Sequence, residues 1–159
     1  MHRLQVLGVL VAVTALFSVS RAADDEALKA GLKALEGKWE VTACQKDGEE
    51  QGDVVKIGIK LEFKDTNMEI TGSDPNFTAQ KRFIKLDVTT TPKIMDVAEK
   101  AEELKDGTKL LEGLYSVDGD TFKFCFQMDG DQPAKGKRPS ALESKAGSGV
   151  LLLTFKKVK

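Results

Sequence analysis

Histidine is almost absent from this chain: the single one among 159 residues is His2. Aromatics other than phenylalanine are equally scarce, with one tryptophan and one tyrosine, and there are two cysteines and four prolines. No apolar run reaches the roughly 20 residues that a membrane-crossing helix needs; the longest, Leu4 to Phe17, stands at the N-terminus. A chain that has lost His2 cannot hold a Ser-His-Asp or Cys-His catalytic site, a His-ligated zinc or a His-ligated haem. General acid or base chemistry would then fall to Asp, Glu, Lys, Tyr115 or a cysteine.

Whether His2 is lost depends on the first residues. "MHRLQVLGVLVAVTALFSVSRAADD" has a short basic start, an apolar stretch, and small residues before acidic ones. This is the pattern of a secretory signal peptide occupying residues 1–22. Cleavage after Ala22, with Ser20 and Ala22 as the small residues, fits better than cleavage after Ala23, which would place Arg21 three residues before the cut. No cysteine follows the apolar stretch, so a lipoprotein anchor is not expected. The expected product is an exported protein, periplasmic or extracellular, with one domain over 23–159. It carries 22 basic against 25 acidic residues, a net charge of −3. That balance argues against nucleic acid and against an anionic membrane surface as partners.

The rest of the chain changes period once. "DDEALKAGLKALEG" sets Leu28, Leu32 and Leu35 at i, i+4, i+7 and ends at Gly37, a short amphipathic helix. From Lys38 onward apolar residues alternate with polar ones: Trp39, Val41 and Ala43, then Val55, Ile57, Ile59, Leu61 and Phe63. These are strands with one buried face. Further strands are predicted at Met68–Thr71, Arg82–Val88, Leu110–Val117, Thr121–Met128 and Val150–Lys156, several joined by Asp-Gly or Gly-Ser turn chemistry. "VAEKAEELKDGTK" reads as a charged helical or loop insertion. Seven or eight antiparallel strands with short connections predict an all-β domain, either a closed barrel or a two-sheet sandwich.

Four stretches choose between them. "LEGKWEV" places Gly37-x-Trp39 on the first strand just after a helix, and resembles the opening of a lipocalin. "TTTPKIMDV" (Thr89–Val97), "LEGLYSVDGDTFKFCF" (Leu111–Phe126) and "GKRPSALESKAGSGVLLLTFKK" (Gly136–Lys157) resemble, in that order, a lipocalin-like family of small exported proteins known chiefly from planctomycete bacteria. The resemblance spans nearly all of residues 23–159. It implies a calycin-type, up-and-down antiparallel β-barrel of about eight strands, preceded by a short helix, and it implies no activity. It also implies that Trp39 plugs the closed end of the barrel with Lys156 or Lys157 over its ring, where lipocalins use an arginine.

The interior of such a barrel would be lined by Ile57, Ile59, Leu61, Phe63, Ile84, Leu86, Tyr115, Phe122, Phe124 and Phe126. The phenylalanine stripe could surround a ligand or simply fill a core. Tyr115 would offer a pocket one polar handle, or bond a backbone carbonyl. Cys44 and Cys125, both expected opposite the core face of their strands, could form a disulfide after export, or remain separate thiols with one strand between them. Asp118/Asp120 and Asp129/Asp131 lack the further oxygen ligands of a calcium loop, so Gly119 and Asp120 read as turn chemistry and no metal is expected. Pro92 would end a strand, with Ile94 and Val97 re-entering the core. Asp96 would cap a turn or pair with Arg138 of the "KRP" stretch that also contains Pro139, as a structural tie or as part of a ligand site at the open end. No cofactor is expected. Two functions are compatible with this reading: an exported, non-catalytic carrier of a small hydrophobic ligand, or a filled barrel that presents its loops to a protein of the cell envelope.

Overall fold

The computed structural model describes residues 14–159. Helix α1 (Thr14–Leu35) is followed by β1 (Gly37–Lys46), β2 (Glu49–Glu50), α2 (Gly52–Lys56), β3 (Lys60–Lys64), β4 (Asn67–Thr71), β5 (Gln80–Asp87) and β6 (Lys93–Ala98). Then come α3 (Glu103–Asp106), β7 (Leu111–Asp118), β8 (Thr121–Asp129), β9 (Gln132–Pro133) and β10 (Val150–Lys157). Eight of these strands, β1, β3, β4, β5, β6, β7, β8 and β10, each pair antiparallel with the next, and β10 pairs back onto β1. The result is a closed up-and-down barrel with a helix before it, which decides between the barrel and the sandwich that the strand pattern left open. β2 and β9 are two-residue extensions on β1 and β8. Among the described residues no helix is long and apolar enough to cross a membrane.

The start of the expected signal segment, residues 1–13, lies outside the described residues; α1 begins at Thr14 and continues through Ala22. The helix packs Leu28, Leu32 and Leu35 onto the barrel core and lies against β5, closing one end. Gly37 follows it with a φ of 110°, a backbone conformation that residues with a side chain rarely adopt, and so lets the chain turn from helix into strand. The other end carries the longer connections: β2 with α2, the 72–79 loop, the α3 loop, and the 134–149 segment.

Three local readings need correction. The stretch Val55, Ile57, Ile59 is not strand: Gly52–Lys56 is a helical turn, Gly58 (φ 64°) redirects the chain, and β3 starts only at Lys60. Ile57 consequently stands outside the interior at 39% exposure, whereas Ile59 packs partly against the core. Second, β1 slips register between Val41 and Ala43. The bulge inserts one residue and reverses the alternation beyond it, so Cys44 pairs with lumen-facing Leu153 and turns inward where Ala43 was expected. Third, Lys93–Ala98 is a full strand between β5 and β7. Its outward Ile94 packs into a second cluster, and Met95 and Val97 enter the lumen.

Candidate functional site

The lumen is built by parity. Each antiparallel pair puts opposed side chains on one face, so the register Tyr115↔Phe124, Val117↔Phe122, Phe155↔Phe122 and Leu153↔Phe124 directs all of these inward. Leu61, Phe63, Met68, Ile84, Leu86, Met95 and Val97 complete the buried cluster, with Trp39 at the helix end. Phe122 is its hub. Its ring lies 5.4–6.4 Å, centroid to centroid, from those of Phe155, Phe63, Trp39 and Tyr115, and 6.5 Å from Phe124, which in turn meets Phe126 at 5.6 Å. Gly113 makes room for this stack: a Cβ there would fall on the Phe124 ring.

Trp39 occupies the helix-capped end, fully buried, and its Nε1–H donates to the Leu35 carbonyl at 2.7 Å. Of the two lysines considered for its ring, Lys157 takes the place, 5.1 Å from the centroid; Lys156 reaches Thr121 instead. Tyr115 faces the lumen with 2% exposure, and its hydroxyl lacks the backbone partner that was one of its two expected roles. Burial, with a smaller contribution from the charge of Asp87, pushes this phenol up to about 12.

The Asp96–Arg138 pair forms, but on the outer wall of the barrel and not across its open end. Asp96 is 5% exposed. One carboxylate oxygen accepts from Arg138 Nη2 at 2.7 Å, and the other lies 2.9 Å from Lys109 Nζ, which also reaches Glu112 at 3.3 Å. Arg138 Nη1 donates to the Gly113 carbonyl at 2.8 Å. The hydrogen bond to Asp96 holds the Lys109 ammonium above its ordinary range. Two cations and two carboxylates therefore balance one another, and both oxygens of Asp96 are occupied. The group is a tie. It fastens the 134–149 segment, which lays buried Pro139 and partly buried Leu142 over the wall, beside a cluster of Leu114, Cys125, Val150 and Leu152.

Cys44 and Cys125 are both buried and both free, which sets aside the disulfide. Cys44 turns toward the lumen, while Cys125 points outward beneath the 134–149 segment, with its Sγ 3.6 Å from the Ala141 carbonyl. β10 runs between their strands. Burial pushes each thiol up to about 11. The Asp-Gly pairs are turns, with Gly119 and Gly130 at φ 54° and 61° and Asp118 and Asp120 flanking the β7–β8 hairpin. Pro92 follows a cis peptide bond in the β5–β6 loop.

Several clefts lie on the outside or at the rim. One of about 310 Å³ runs along the outer face of β3–β5 past Glu62, Lys64, Lys81 and Phe83. A neighbour of about 410 Å³ is lined by Lys38, Lys60, Glu69 and Val158. Another, of about 360 Å³, opens at the helix-capped end between Pro92, Lys93, Tyr115 and Val117. Sequence reasoning missed this last one, because it arises from the register match of Lys93 with Tyr115 across β6 and β7. No protein-family model, curated protein or solved structure matches the chain.

Proposed function

We propose that the chain is a non-catalytic, exported module of the lipocalin-like kind, whose filled barrel serves as a rigid scaffold and whose outer surface and loops engage a protein of the cell envelope. The observation that carries this reading is the packing of Phe122 among five other aromatic rings, which uses the lumen space that a carrier would leave for cargo. Export is supported by the basic start, apolar stretch and small residues ahead of Ala22. The lipocalin-like assignment is supported by the helix, Gly37-x-Trp39 and Lys157 arrangement at the capped end.

A second reading, a small hydrophobic ligand held in the barrel, draws on the loop end. There Ile70, Leu111, Met128 and Leu151 are only partly buried around Phe126. Native mass spectrometry of the exported protein, purified from its own host without detergent, separates the two. A clean mass without bound small molecule, together with a reproducible protein partner after in-cell crosslinking, supports the scaffold. A small molecule that leaves on denaturation overturns it in favour of the carrier.

A further inference from the structure

We propose that the 134–149 segment is a latched cover that opens as a unit while the barrel stays closed, and so controls access to an apolar row on the outer wall. The motion does not depend on the protein-binding role above.

The row comes from the register. Ile94 stands opposite Leu114, Leu114 opposite Cys125, and Cys125 opposite Leu152, so one apolar side chain from each of β6, β7, β8 and β10 lines up on the outside. An antiparallel wall that faces water ordinarily presents polar side chains there. In this barrel the segment shields the row, laying Leu142 on it and bringing the Ala141 carbonyl to Cys125.

The segment is built to lift off. β8 and β10 pair directly, from Gln127↔Val150 to Thr121↔Lys156, so the wall is complete beneath it and opening breaks no strand pairing. Both of its ends are pinned side by side on β8: the Ala134 amide donates to the Gln127 carbonyl at 2.9 Å, and the Met128 amide to the Gly149 carbonyl at 2.7 Å. Between them runs a loop with closely spaced ends and no helix or strand of its own. Among the described residues, no strand backbone is hydrogen-bonded to the backbone of residues 135–144.

Side chains hold it down instead. Arg138 reaches Asp96 and the Gly113 carbonyl, while Ser144 Oγ accepts from the Gly48 amide at 3.0 Å and donates to the Val150 carbonyl at 2.8 Å. Between the pinned ends Pro139 alone is buried, so lifting the loop exposes far less apolar surface than opening the lumen. Release strands no buried charge either, because Asp96 keeps Lys109 at 2.9 Å on its other oxygen. Gly136 and Gly147, at φ 68° and 70° with open space around them, flank the latched stretch as hinges.

Cys125 lies under the cover and Cys44 faces the lumen, both without exposure, so the thiols report separately on cover and barrel. The exported protein is held with a thiol reagent for hours under native conditions, and the label at each cysteine is read by peptide mass spectrometry. Global unfolding is followed in parallel by Trp39 fluorescence in urea. Cys125 is expected to label slowly but ahead of Cys44, with a urea dependence much shallower than that of global unfolding, since the slope follows the surface exposed. Arg138→Gln should speed Cys125 labelling roughly tenfold or more, the loss of hydrogen bonds to a charged group. Ile84→Val, a lumen change on β5, should lower global stability yet leave the Cys125 rate unchanged, because that side chain packs alike whether the cover is open or shut. The proposal is overturned if Cys125 labels no faster than Cys44, if its urea dependence is as steep as that of Trp39, if Ile84→Val speeds it in proportion to the lost stability, or if Arg138→Gln leaves its rate unchanged.

Discussion

Replacing Phe122 by alanine tests the filled lumen at its hub. The side chain has no solvent exposure and meets five aromatic rings. Phe→Ala substitutions in packed cores cost about 3–5 kcal/mol, combining lost transfer free energy with the cavity left behind. Phe122 belongs at the top of that range, because aromatic pairs contribute about 0.5–1.5 kcal/mol beyond their buried area. The surrounding strands are locked into a closed barrel and have little freedom to collapse into the gap. A loss near 5 kcal/mol is a large part of the roughly 5–15 kcal/mol that holds a domain together. Phe126→Ala provides the internal control: this ring is 8% exposed, meets only Phe124 among the aromatics, and lies toward the loop end. It should cost about 3 kcal/mol, the bottom of the same range. Urea unfolding followed by the fluorescence of Trp39, the only tryptophan, reads both. The Phe122→Ala cavity should also take up benzene and recover stability with it, as dry apolar cavities do, whereas the unaltered chain should gain nothing. A Phe122→Ala loss below about 1.5 kcal/mol, of the size expected when a site is already loosely packed, would refute the reasoning. So would benzene stabilising the unaltered chain equally.

Three further outcomes follow from the same packing. Both thiols should resist a thiol reagent at pH 8 and react at two per chain only after denaturation, since burial keeps Cys44 and Cys125 protonated up to about 11; rapid labelling of the folded chain would contradict the burial. The single tyrosine should ionise near pH 12, followed by ultraviolet absorbance. Because its folded value is raised above the ordinary 10, its contribution is complete below pH 10 and is lost as pH rises toward 12, on the order of 3 kcal/mol in all; an alkaline stability curve flat through that window would count against it. Arg138→Ala removes bonds to Asp96 and Gly113 and should cost about 2–3 kcal/mol, less than the 3–5 of a fully enclosed pair because Lys109 stays and the Arg138 side chain is 24% exposed. Arg138→Lys should recover less than half of that, since one ammonium cannot span both acceptors in the same geometry; full rescue by lysine would mean that charge alone matters.

How legible each element was depended on how many of its faces are buried. β7 and β8 carry a clear period of two, set off by Asp118-Gly119-Asp120, because Phe122, Phe124 and Phe126 alternate with more polar neighbours. Their pairing could be anticipated from that, whereas closure into a barrel could not, since the same strands would also have built a two-sheet sandwich. β6 was hidden because both of its faces are covered: Met95 and Val97 fill the lumen while Ile94 joins the outer cluster and Asp96 is buried in its tie, so "KIMDVA" has no polar face to alternate with. Double burial erases the alternation by which a strand is recognised. The opposite error came at Val55–Ile59, where an every-second-residue pattern happened to span a helical turn and a left-handed glycine.

The same accounting explains why the tie could be read while the rim cleft could not. Asp96 and Arg138 are opposite charges in otherwise apolar or turn-rich stretches, and a buried charge requires a partner. That requirement points from one residue to the other across 42 positions. Lys93 makes no such demand: an exposed lysine is satisfied by water, and nothing in "TTTPK" indicates that β6 will set it opposite Tyr115. The bulge at Thr42 acts in the same silent way, since one extra residue in β1 moves Cys44 from the wall to the lumen without altering any residue type. Chemistry that must be neutralised leaves a mark in the sequence, whereas a juxtaposition that strand pairing alone creates emerges only when the register is known.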